Sequence, residues 1–130
     1  MNFSEVTITQ LDTCKTYALK RIGLGDIIDW SLDKPSFKDL ITSKSFKIIG
    51  IAEPGCLIFW GKDIDKAYFV PRKITKAGQI VSLESYNFGH CGVLENDDLV
   101  SDCYSENGKS TIRIREFRKL PTPDYILKKI

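Results

Sequence analysis

The sequence holds one histidine, one methionine and no close pair of cysteines. Its four cysteines, Cys14, Cys56, Cys91 and Cys103, are scattered, and no CxxC or CxxH pair supplies the short-range chelate of a structural zinc site. Neither a metal nor an organic cofactor is therefore expected. A disulfide framework is not expected either, because 130 residues can bury a core without covalent staples. Net charge is almost absent: nineteen basic against seventeen acidic residues leave +2, which demands neither nucleic acid nor an anionic membrane as partner. Long apolar runs are missing too. The longest, Cys56 to Trp60, has the length of a buried strand and falls far short of the roughly twenty residues of a membrane span. The start, MNFSEVTITQ, has no basic segment, apolar stretch or small-residue cleavage site, so export by a secretory signal is not expected. No repeat, low-complexity tract or linker divides the chain, and one domain over residues 1–130 is the simplest organisation.

What is present organises itself from helix to sheet. Asp12 or Thr13 can cap a helix over CKTYALKRIG, with Ala18, Leu19 and Ile22 on its apolar side and Gly23 as its stop. Cys14 then lies in a first helical turn. A second short helix is expected over SFKDLITSK, entered from Pro35 and Ser36, with Phe37, Leu40 and Ile41 on one face. Beyond it, FKIIGI, CLIFW after the Pro54-Gly55 turn, KAYFV, QIVSLE, HCGVLE, DLVSDCY and STIRIREF read as strands separated by turn residues. Helices first and strands afterwards mean an α+β fold. In the tail after Leu120, Tyr125, Ile126 and Ile130 are placed to close a last turn against the core. The basic residues of the last quarter, Lys109, Arg113, Arg115, Arg118, Lys119, Lys128 and Lys129, read as a solvated strand face and tail, with contact to an anionic surface as the alternative.

Chemistry points to Cys14 and His90. A thiol attacks an acyl carbon as thiolate, and the first turn of a helix favours the anion through its dipole and free backbone donors. The same N–H groups can stabilise an oxyanion. His90 opens an apolar strand in FGHCGVLE, between glycines that leave space around it, and is the base within this sequence that could serve such a thiol. A catalytic imidazole needs a partner on its second nitrogen, and VSDCYS supplies Asp102 or Ser101 on opposite faces of one strand. Spacing leaves both open. Cys56, Cys91 and Cys103, in strand runs, read as small apolar fillers. Trp30, Trp60, Tyr17 and Tyr86 read as core or core edge, with a cleft lining as the alternative.

The order of these motifs resembles the NlpC-type and CHAP peptidases, papain-like cysteine hydrolases. DTCKTYALKRIG stands where the family's cysteine heads a helix, PGCLIFW where its Pro-Gly turn enters an apolar strand, and GHCGV where its Gly-His strand lies. VSD at Val100 to Asp102 stands in the place of the CHAP acidic strand, which favours Asp102 over Ser101. The likeness runs from Leu11 to Phe117, with two departures: Cys56 replaces the acidic residue after Pro-Gly, and residues 61–88 form a long link. It implies N-terminal helices packed on an antiparallel sheet. It also implies a catalytic set of Cys14 as nucleophile, His90 as base and Asp102 as orienting acid.

The resemblance further implies a hydrolase, a cysteine peptidase or amidase, that cuts an amide or peptide bond of peptidoglycan and needs no cofactor or metal. Without a secretory signal, such an enzyme would be made in the cytoplasm and reach the cell wall or periplasm by release as a phage lysin or delivery as an antibacterial effector. An effector would have an immunity or inhibitor protein as partner; membrane insertion and nucleic acid are not expected. The alternatives are a cytosolic cysteine peptidase, deamidase or acyltransferase acting on a protein, and a binding module without catalysis.

Overall fold

The computed structural model describes residues 6–32, 34–60, 70–76, 79–86, 90–106 and 108–130, with backbone alone for 70–76, 79–86, 105 and 106. The first helix, α1, spans Cys14–Arg21 and is held by a capping box. Thr13 Oγ1 accepts from the Thr16 backbone N–H at 3.3 Å, and Thr16 Oγ1 accepts from that of Thr13 at 2.7 Å. Its end is a Schellman turn: Gly23, at φ +84°, lets Leu24 N–H reach the Leu19 carbonyl at 2.8 Å, a conformation that side-chain-bearing residues rarely adopt. The second helix, α2, spans Phe37–Thr42 and is capped reciprocally by Ser36 and Asp39. Both helices lie where cap and stop residues put them.

The strands are β1 (Phe46–Ile48), β2 (Leu57–Trp60), β3 (Val70–Lys76), β4 (Gln79–Tyr86), β5 (His90–Leu94), β6 (Leu99–Glu106), β7 (Lys109–Glu116) and β8 (Tyr125–Lys129). Six form one antiparallel sheet in the order β1-β8-β2-β5-β6-β7. The protein is thus α+β, a mixture of helix and antiparallel sheet. β3 and β4 pair separately as an antiparallel hairpin within the long link between β2 and β5. Of the strand expected over KAYFV, residues 66–69 lie outside the described residues and Val70 begins β3. The strand continues through the segment PRKITK; both hairpin strands are edges, where a proline costs no interior ladder bond.

The tail differs from expectation. Tyr125–Lys129 closes no last turn: it is β8, inserted between β1 and β2 with Leu57 opposite Leu127 and Ile58 opposite Ile126. Ile126 and Leu127 are both buried, one toward each face, so the segment packs as an interior strand and its exposed lysines follow at the end.

Alternation along the strands creates two cores. Leu57, Phe59, Cys91, Val93 and Leu127 face the helical layer, where Ala18, Leu19 and Leu40 cover them and Phe37 meets Phe59 edge-on at 5.5 Å. Cys56, Ile58, Trp60, Leu94, Val100 and Ile126 form the opposite core, closed by Ile49, Ala52, Phe117 and Leu120 from connecting segments. Helix α1 packs across β5 and β6, which brings its first turn to the strand that His90 begins.

Candidate functional site

The chain entering α1 is tied down before the helix begins. Asp12 is buried, and its Oδ2 accepts from Lys20 Nζ at 2.8 Å and from the Thr9 N–H at 2.7 Å. Ser110 of β7 donates to the Asp12 carbonyl at 2.6 Å, and the Cys103 thiol reaches the same oxygen at 3.9 Å. With Thr13 as cap, Cys14 becomes the first helical residue, and its N–H has no carbonyl within the helix to bind. Its thiol is half-buried, whereas those of Cys56, Cys91 and Cys103 are buried.

On β5, Cys91 and Val93 turn toward α1, while His90 turns to the face of its cross-strand partner Trp60. The indole stacks on the imidazole at 5.9 Å between centroids and 24° between planes, and its Nε1–H donates to the Pro121 carbonyl at 2.8 Å. The Cys14 thiol lies close enough to Cys91 and His90 for both to act on its ionisation. His90 Nε2 lies 2.6 Å from Asp102 Oδ2. Asp102 is fully buried, at 0 % exposure.

Electrostatics follow from these contacts. The Cys91 hydrogen bond, which outweighs burial, and then that of His90 hold the Cys14 thiol well below its ordinary value. Burial would lower His90, but hydrogen bonds to Asp102 and then Cys14 carry it up to about 9. Cys91 is driven well above the ordinary thiol range by burial and by Cys14. Cys103 is raised to about 11, chiefly by burial and then by the charge of Asp12. Cys14 is thus the one thiol of the four whose surroundings favour the anion beside a cation. Among the described residues, no group of three or more His, Cys, Asp or Glu side chains is arranged to hold a metal ion.

The geometry brings Cys14, His90 and Asp102 together and sends Ser101 elsewhere. Ser101 Oγ accepts from Tyr17 Oη at 2.8 Å on the helical face and donates to Glu95 Oε2 at 3.1 Å. Arg21 grips the same Glu95, with Nη2 to Oε1 at 2.7 Å. Of the aromatic candidates, Trp60 and Tyr17 are buried, Trp30 is exposed beside Lys20, and the Tyr86 side chain lies outside the described residues.

Cys91 is buried in the core on the helical side, as a small apolar filler would be, with its thiol beside that of Cys14. Two neighbours of the site, Arg113 and Arg115, differ from expectation. Arg113 and Arg115 do not belong to a solvated face, although Arg118, Lys119 and Lys128 do. Arg113 Nε donates to Asp102 Oδ1 at 2.7 Å and Arg115 Nη2 to Asp102 Oδ2 at 2.6 Å. A buried carboxylate draws in counter-charge, so β7 turns its arginines inward and leaves Ile112 and Ile114 exposed. The signal was the alternation IRIRE opposite VSD, which sets two cations on the face of one anion once the strands pair.

No family model, no curated protein and no solved structure matches the chain.

Proposed function

We propose that the protein is a papain-like cysteine hydrolase of amide bonds, with Cys14 as nucleophile, His90 as acid and base, and Asp102 as the group that orients the imidazole. The observation that carries this reading is the line Cys14, His90, Asp102, with a half-buried thiol at a capped helix start and a buried carboxylate 2.6 Å from the far imidazole nitrogen. The Cys14 thiolate attacks the carbonyl carbon to form the C–S bond, and the backbone N–H of Cys14 is placed to stabilise the oxyanion. Imidazolium His90 gives its proton to the amide nitrogen, the C–N bond breaks, and the amine leaves a thioester. Neutral His90 then takes a proton from water, whose oxygen attacks the thioester; the C–S bond breaks, and thiolate and imidazolium are restored.

The NlpC/CHAP order of motifs supports a peptide or amide bond of peptidoglycan as substrate. Delivery to the cell wall as a lysin or effector follows from that substrate. Incubation of the protein and its Cys14→Ala variant with peptidoglycan sacculi, with released muropeptides read by mass spectrometry, tests it. Fragments made by the unmutated protein alone identify the bond cut. Intact sacculi in both samples reject the peptidoglycan substrate, and an unreactive Cys14 rejects the hydrolase.

A further inference from the structure

We infer that Arg113 and Arg115 are positioning residues for this same site: their guanidinium groups hold the Asp102 carboxylate and share its charge, and so limit how strongly Asp102 acts on His90. The inference rests on the assignment of His90 and Asp102 to the proposed hydrolase. Four contacts converge on the buried carboxylate of Asp102. Oδ2 receives His90 Nε2 at 2.6 Å, Arg115 Nη2 at 2.6 Å and Arg113 Nη2 at 3.2 Å, while Oδ1 receives Arg113 Nε at 2.7 Å. Two full cations thus compete with the imidazole for one anion, and both come from β7, which pairs with β6 at Asp102 itself.

An imidazole that faced an unshared buried carboxylate would hold its proton harder, and a proton held too hard is a poor one to donate to a leaving amine. The two arginines draw on the carboxylate's negative charge through charge-assisted hydrogen bonds. They also fix the plane of the carboxylate, since Arg113 spans both of its oxygens. Arg113 is steadied in turn by the Tyr104 ring, 4.8 Å from its guanidinium carbon. Among the described residues, the groups that act on the imidazole are Cys14 from α1 and Asp102 from β6, with the uncharged ring of Trp60 from β2 stacked on it. Of these, Asp102 is the group that both arginines touch.

The test reads the single histidine directly, by NMR titration of His90 in the resting full-length protein. Arg115→Ala is expected to raise the His90 midpoint by roughly half to one pH unit, a share of the effect one opposite charge exerts on a near neighbour. Arg115→Lys is expected to restore most of the original midpoint by returning a charge to the carboxylate. In an Asp102→Asn background the same Arg115→Ala change is expected to lose more than half of its effect, because no anion remains to be shared. A midpoint that falls or does not move overturns the inference, as does a shift of full size in the Asp102→Asn background, which would place the effect on His90 directly. If Arg115→Ala does not fold, Arg115→Gln, which keeps a donor and removes the charge, carries the same expectation. No substrate enters the titration, so failure to cut peptidoglycan and failure of the arginine effect are separate results.

Discussion

The thiol of Cys14 stands between two neighbours that stabilise its anion by different means, one a buried thiol and the other a histidine held protonated by Asp102. The alkylation rate of native Cys14 is therefore expected to reach its plateau well below the ordinary thiol range as pH rises, and mass mapping should find the label on Cys14 before the three buried cysteines. His90, carried up to about 9, is imidazolium at neutral pH and loses its proton only as pH rises through that value. The proposed activity should accordingly fall on its alkaline limb near pH 9. In Cys14→Ala one of the groups that raise His90 is gone, so its NMR midpoint should move down. Gly92 matters at the same scale. A Cβ there would lie 2.6 Å from Val100 Cγ1, 2.9 Å from the Ser101 carbonyl and 3.4 Å from Asp102 Cβ. Gly92→Ala must push β6 aside. A loss of about 1–3 kcal/mol in denaturant unfolding is expected, as for other overpacked sites, together with a lower His90 midpoint as Asp102 withdraws.

At the scale of elements, the capping box decides where α1 begins, and with it which residue presents its side chain at the helix start. Thr13→Ala removes the side-chain acceptor of the Thr16 N–H and is expected to cost about 1 kcal/mol in urea unfolding. The strand β8 makes a sterner demand. It supplies Leu127, with 0 % exposure, to the helical core and Ile126 to the opposite one, so Leu127→Ala should cost about 2–5 kcal/mol. These elements differ in how openly the chain announces them. The helices carry their caps and stops within a few residues, so their bounds were readable; Tyr125–Lys129 is short, follows two prolines and ends in lysines, and nothing local says that it enters the middle of a sheet.

For the whole molecule, the order β1-β8-β2-β5-β6-β7 makes the chain's end a structural necessity. Removal of residues 121–130 would strip β1 of its partner and expose one edge of β2, and such a truncation is expected to lose the dispersed NMR spectrum of a folded protein. The same order stacks the site: α1 over β5 and β6 sets Cys14 against His90, and β6 beside β7 sets Asp102 against two arginines. Local chemistry in the sequence determined the α+β class, the start and stop of α1, the alternation that puts Asp102 and Ser101 on opposite faces of β6, and the candidate status of Cys14 and His90. Each of these depends on residues within a turn or a strand of one another. Tertiary structure decided which face of β6 meets His90, that Cys91 lies beside Cys14, that Arg113 and Arg115 are drawn inward, and that the tail is a central strand. Those outcomes depend on pairing between segments far apart in the chain, where one carboxylate buried without counter-charge would cost more than any local preference returns.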